Sequence, residues 1–121
     1  MQADTIHRTL FENERLVLGE LWCPPESRCW HGLISVSAAP HVIFPRTPVT
    51  IRQLGREPVV CGRNHVLFFN PGQRFFRSLR SRDGDRSYYV ELAPELMFNL
   101  AALTSFPFAF GPCDPTVFLL Q

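Results

Sequence analysis

The sequence predicts an all-β domain, and three observations carry that expectation. Apolar and β-branched residues come in short runs separated at close intervals by Pro, Gly and Asn, which is the punctuation of antiparallel strands. Two runs alternate strictly: Val49 and Ile51 against Thr50 and Arg52, and Tyr88, Val90 and Leu92 against Ser87, Tyr89 and Glu91. The chain has 121 residues, 45% of them apolar and eleven of them Phe, enough for one core that buries roughly two-thirds of the unfolded surface. Nothing suggests a second core.

Taken in order, strands are expected near 15–23 (RLVLGELWC), 30–38 (WHGLISVSA), 41–44 (HVIF), 48–54 (PVTIRQL), 57–61 (EPVVC), 64–69 (NHVLFF), 73–79 (QRFFRSL) and 86–92 (RSYYVEL). In the alternating runs, period two puts Val49, Ile51, Tyr88, Val90 and Leu92 on a packed face and leaves their neighbours to solvent or a cavity. In HVLFF both parities are bulky. That strand is expected to be covered on both sides, with an inner face on a core or ligand and an outer face under a helix. Between 64–69 and 73–79 stands Asn70-Pro71-Gly72. Pro71 fixes its own φ near the turn value and Gly72 accepts φ > 0, so a tight reversal is expected.

After residue 92 the pattern changes. Pro94 and Glu95 open a run in which Leu96, Leu100 and Leu103 share one helical face, widened by Met97 and Ala101. A helix over 94–103 is expected, with an apolar face broader than a short helix on a barrel requires. Phe106 to Pro112 reads as an extended, Pro-bounded loop. Asp114 and Pro115 then start a helix of four consecutive apolar residues, expected to continue in a longer parent chain or to dock on the domain.

The basic residues are twelve Arg and no Lys against eleven acids, for a net charge of +1. That balance argues against direct binding of DNA by this chain. Five arginines lie between Arg74 and Arg86. They read as a solvated hairpin face or as a patch for an anion or partner. The N-terminus lacks the signature of a signal segment, and no window approaches the ~20 apolar residues of a membrane span. A cytoplasmic protein with no membrane partner is therefore expected, with Cys23, Cys29, Cys61 and Cys113 as reduced thiols.

The segment HVIFPRTPVTIRQLGREPVVCGRNHVLFFNPGQRFFRSLRSRDGDRSYYVELAPELM, followed by PFAFGPCDPTVFLLQ, resembles the N-terminal sensor region of certain AraC-type transcription regulators. The matching elements are the Phe44-Pro45-Arg46 corner, the PVV strand, the Asn-x-Val strand leading into Asn70-Pro71-Gly72-Gln73, the Gly84-Asp85-Arg86 turn and the closing Leu119-Leu120-Gln121. Their order and spacing, from about residue 16 to the end, carry the likeness. It implies a small cupin-like barrel, a double-stranded β-helix, over about 15–92, with one or two helices over 94–121. It also implies a DNA-binding part of paired helix-turn-helix motifs that this chain does not carry. Related regulators often pair through helices after the barrel, so a homodimer is expected through Leu96, Met97, Leu100 and Leu103.

Catalytic cupins show a glycine, five residues, His-x-His and a glutamate, with a further His from the second hairpin. This chain has no His-x-His, and Phe75 stands where the second hairpin would supply its ligand. No metal or other cofactor is expected in the barrel. Cys23, Cys29 and His31, with His41 or Cys61 across from them, are the residues that could form an unorthodox zinc site; the other readings of these cysteines are inert thiols and redox sensing. No local motif places a nucleophile with its base, and no phosphate-cradling loop is present. The expected function is effector sensing and self-association without catalysis; the alternative is a stand-alone cupin-like metalloenzyme with an unorthodox ligand set. Candidates for an effector cavity are Trp22, Trp30, Phe44, Ile51, Phe69, Phe75 and Tyr89, with Arg46 or Arg52 as an anion anchor; the competing reading for most of them is ordinary core.

Overall fold

The computed structural model describes residues 5–36, 39–96 and 110–112. Ten strands are present among them: β1 (Ile6–Glu12), β2 (Leu16–Cys23), β3 (Ile34–Ser35), β4 (His41–Pro45), β5 (Val49–Gln53), β6 (Val59–Cys61), β7 (His65–Phe69), β8 (Arg74–Leu79), β9 (Asp85–Leu92) and β10 (Phe110–Pro112). They form a six-stranded sheet in the order β1-β2-β9-β4-β7-β10 and a four-stranded sheet in the order β3-β8-β5-β6. All of their pairings are antiparallel. The chain passes repeatedly from one sheet to the other, from β4 to β5, β6 to β7, β7 to β8 and β8 to β9. The inner faces are therefore built from residues far apart in sequence.

The two alternating runs differ. β5 follows the expected parity, whereas on β9 Asp85, Ser87 and Tyr89 are buried, because that strand turns its polar row inward. Tyr88, Val90 and Leu92, expected on the packed face, are only partly buried. On β5, Val49, Ile51 and Gln53 are buried while Thr50 and Arg52 are partly exposed on the other face. Gln53 is the polar member of that inward row, and its Nε2 donates to the Phe68 carbonyl at 2.9 Å, so its burial leaves no amide wasted. On β7 both faces are buried. Leu67 and Phe69 join Val49, Ile51, Cys61 and Phe75 in one cluster, while Val66 and Phe68 join Val42 in another.

The Asn70-Pro71-Gly72 reversal closes with the Gln73 amide donating to the Asn70 carbonyl at 3.0 Å, and Gly72 takes φ 69°. Positive φ at the third residue of the turn, directly after a proline, is the type II arrangement. Gly84 is more tightly constrained: it sits at φ 79°, and a Cβ there would lie 2.1 Å from the Cys23 carbonyl oxygen. A backbone atom cannot yield as a side-chain tip can, so this turn admits glycine alone.

Four features depart from the sequence expectations. The strand expected at 30–38 shrinks to Ile34–Ser35, because Arg28–Trp30 form a 3-10 turn whose start is capped by the Ser27 hydroxyl accepting from the Cys29 amide at 3.1 Å. Cys23 and Cys29 are joined as a disulfide, across a Cα separation of 6.7 Å, which corrects the reading of both as reduced thiols. β1 was not anticipated; all seven of its residues are exposed, so it is held by backbone pairing to β2 and offers no burial pattern to read. Within the expected loop at 106–112, Phe110–Pro112 instead pair with His65–Leu67 as the sixth strand of the larger sheet.

Of the expected helix, Pro94–Leu96 are helical; Met97, Leu100 and Leu103 lie outside the described residues, as do Cys113 and the closing 114–121 segment. No helix among the described residues is long and apolar enough to cross a membrane.

Candidate functional site

Between the two sheets lies a cavity of about 370 Å3. Its apolar wall comes largely from both sheets' inward rows: Val49 and Ile51 of β5, Leu67 and Phe69 of β7, Phe75 of β8, Ile34 of β3 and Ile43 of β4. The rings of Phe69 and Phe75 meet at 4.8 Å between centroids, tilted by 56°. Phe75 thus presents hydrocarbon, not a polar group, to the cavity.

The polar wall is chiefly β9. Its inward residues Asp85, Ser87, Tyr89 and Glu91 all face the cavity, as the side-chain alternation of a strand dictates. At one end Arg77 of β8 meets Asp85, Nε to Oδ2 2.9 Å, with side chains only 6% and 4% exposed. The Ser87 hydroxyl donates to the other carboxylate oxygen, Oδ1, at 2.8 Å. Burial pushes the Arg77 guanidinium below its ordinary pKa and the Asp85 charge pushes it back up. Although close, the Arg77 Nε–H is not aligned on the carboxylate and has no hydrogen-bond acceptor. The contact is a charge pairing without that hydrogen bond, an unusual economy for a buried donor.

At the other end are His7, His41, Tyr89 and Glu91. The Ala39 carbonyl can only accept, so His41 donates to it from Nδ1 at 2.9 Å; its Nε2 lies 3.4 Å from Glu91 Oε1. Tyr89 packs edge-on to His7 at 5.7 Å and tilted against His41 at 6.2 Å. Its place is made by Gly19, which it faces across the β2–β9 ladder: a Cβ at Gly19 would lie 2.5 Å from the Tyr89 ring. Burial lowers the pKa of His7, as do the charges of Arg77 and His41, against an opposing contribution from Glu91. Burial, followed by Glu91 and Glu12, raises that of Tyr89. Cys61, buried in the same cluster, is pushed up to about 11 by burial and then by Asp85, against a smaller lowering from the Ile51 backbone. A thiol held there is protonated at neutral pH and is a poor nucleophile.

Of the residues singled out from sequence, Ile51, Phe69, Phe75 and Tyr89 line this cavity. Trp30 packs against the Val49–Phe75 core cluster without lining the cavity, donating Nε1–H to the Pro24 carbonyl at 2.7 Å. Phe44 packs on the Val42–Val66–Phe68 cluster, on the other face of the large sheet. Trp22 and Arg46 line a separate surface basin of about 440 Å3 with Arg8, Arg63, Arg86 and Tyr88, and Arg52 stacks over Phe76 at 4.4 Å. The metal candidates are not brought together: Cys23 and Cys29 are bonded to each other, Cys61 is in the core and His41 faces Glu91. Among the described residues no three His, Cys, Asp or Glu side chains are grouped closely enough to hold an ion.

His7, Arg77, Asp85, Ser87 and Glu91 were not among the candidates. The alternation of β9 did assign Ser87 and Glu91 to solvent or a cavity. Arg77 was concealed in a run read as exposed, although it shares parity with Phe75 on β8.

Solved structures similar to this chain include the cupin domain of Schizosaccharomyces pombe Cnp3, at a TM-score of 0.62 and 12% identity over 88% of this chain and 73% of that one. A cupin domain from Bordetella pertussis matches at 0.54 and 15%, over 77% and 97% of the two chains. An RmlC-like cupin family protein with a double-stranded β-helix fold, from Methanocaldococcus jannaschii, matches at 0.56 and 10%, over 78% and 85%. The fold is cupin-like. At these identities the likeness concerns the fold alone. No family model matches the chain, and no curated protein matches it.

Proposed function

We propose that this cupin-like barrel is a small-molecule-binding domain without catalytic chemistry, and that it acts as the effector-sensing, self-associating part of an AraC-like regulator. The observation that carries the binding reading is the cavity itself: 370 Å3 walled by apolar side chains with one polar row along β9, the usual constitution of a small-ligand site. The regulatory reading rests on the sequence likeness from Phe44-Pro45-Arg46 to Leu119-Leu120-Gln121. In it, a ligand that favours one arrangement of the barrel and the following helix shifts how a DNA-binding partner domain is presented.

Native mass spectrometry of the purified chain tests the binding reading. A retained organic molecule, or small apolar molecules that add to wild type and not to the cavity-filling Ile51→Trp, is the expected result. Near-stoichiometric transition metal would favour the metalloenzyme instead. Sedimentation equilibrium tests self-association: a dimer converted to monomer by Leu100→Glu is expected, and a monomer at high micromolar concentration refutes it. The chain alone should give no sequence-specific gel retardation of duplex DNA, since its charge supplies little phosphate affinity.

A further inference from the structure

We infer that the cavity selects an uncharged, largely apolar molecule of about a dozen heavy atoms that carries a carbonyl oxygen, and discriminates against the corresponding carboxylate. The inference rests on the proposed ligand-binding role of this barrel and specifies its ligand. Its size follows from the 370 Å3 available, at roughly 30 Å3 per heavy atom of liquid water.

Its polarity follows from what the wall has and lacks. Arg77 and Asp85 neutralise each other inside the protein. Both carboxylate oxygens are engaged, one by the Arg77 charge and one by the Ser87 hydroxyl. The guanidinium is different, because it carries five N–H donors and no acceptor; its Nε is turned to Asp85 and shielded, while the side chain as a whole lines the cavity. On this wall Arg77 is therefore a donor group whose charge is already matched. What would complete it is an acceptor that brings no charge.

A carboxylate would be a poor completion. It would place a third negative charge beside Asp85 and Glu91, with Arg77 as the permanent cation on that wall, and it would compete with Asp85 for the same guanidinium. His7, which faces the same space, has its proton affinity lowered and gives little compensation near neutral pH. A cation would meet the opposite difficulty, because it would displace Arg77 from Asp85. A ketone, ester or amide oxygen accepts from Arg77 and leaves the pair intact. The remainder of the molecule lies against Val49, Ile51, Phe69 and Phe75.

The test uses three molecules of one size on the full chain at pH 7.5: butyrophenone, 4-phenylbutyrate and butylbenzene, by titration calorimetry or ligand-observed NMR. The ketone should bind about tenfold tighter than the hydrocarbon, the ratio expected for one net hydrogen bond to a charged donor, and the carboxylate should bind weakest. Replacing the pair together, Arg77→Met with Asp85→Leu, should keep butylbenzene binding and bring the ketone within about twofold of it. Ketone no tighter than hydrocarbon, or carboxylate tightest, overturns the inference while leaving a ligand-binding cavity. Failure of all three to bind overturns both. The wild-type series decides even if the double variant does not fold.

Discussion

The two faces of β9 put the same residue types to opposite use. Inward, Asp85 and Tyr89 meet Arg77 and two histidines along the cavity wall; outward, Arg86 stacks over Trp22 at 4.4 Å and Tyr88 lies under Arg46 at 4.9 Å. Each face combines arginine with aromatic rings. On the outside water solvates every guanidinium, so stacking adds to an already satisfied group and no acid is required. On the inside the guanidinium has lost its water, and Asp85 is a condition of its being there. Burial, not composition, decides which arginine is replaceable.

Removing Asp85 should produce the largest effect. Asp85→Ala leaves Arg77 buried and uncompensated, a loss of about 3–5 kcal/mol, whereas Arg86→Ala removes an exposed stack. Urea denaturation of the two variants measures the contrast directly, and equal losses would erase the distinction between the faces. Gly19→Ala comes next. The added methyl must displace the Tyr89 ring, at about 1–3 kcal/mol, and ligand affinity of the cavity should fall with stability.

The pH response should be smaller still. His7 holds a lowered pKa in the folded state, so below the unfolded value of 6.5 the unfolded chain binds more protons and stability rises with pH through that window. Hydrogen exchange should show β1 amides less protected at pH 5 than at pH 7.5, and His7→Gln should flatten the difference; unchanged protection in wild type would show that His7 does not couple β1 to the cavity. The smallest effect is expected for Arg86→Ala itself, about 0.5–1 kcal/mol. A loss as large as that of Asp85→Ala would mean that the outer basin is a structural element too.

The sequence made legible whatever a strand writes in its own residues. β5 shows its inward row by alternation, and Asn70-Pro71-Gly72 shows its turn by chemistry. On β9 the alternation is visible, but the buried face is the polar parity, Asp85, Ser87 and Tyr89, rather than the apolar one. It did not make legible what depends on a partner. β1 carries no apolar periodicity because every one of its residues stays exposed overall and only His7 turns to the cavity, and Phe110–Pro112 reads as a loop until it is set beside His65–Leu67. The site divides in the same way. Ile51, Phe69, Phe75 and Tyr89 stand out by size and position, whereas Arg77 and Asp85 acquire their meaning only when β8 and β9, in different sheets, bring them within 2.9 Å. The bulkiest rings, Trp22 and Trp30, drew attention that the cavity does not repay.

The ladder between β2 and β9 also has a consequence in time. Leu16 pairs with Leu92 and Cys23 with Asp85, residues separated by much of the chain. At ribosomal speeds of about 5–20 residues per second, β2 waits several seconds before its partner has been made. Its LVLG run has only β1 to pair with in that interval, and its other edge stays open. After release, closing so long a loop belongs to the slow end of single-domain folding, on the order of milliseconds to seconds. The β2–β9 ladder can therefore form only late, and a nascent chain stopped before residue 85 lacks one of β2's two neighbours and the polar wall of the cavity.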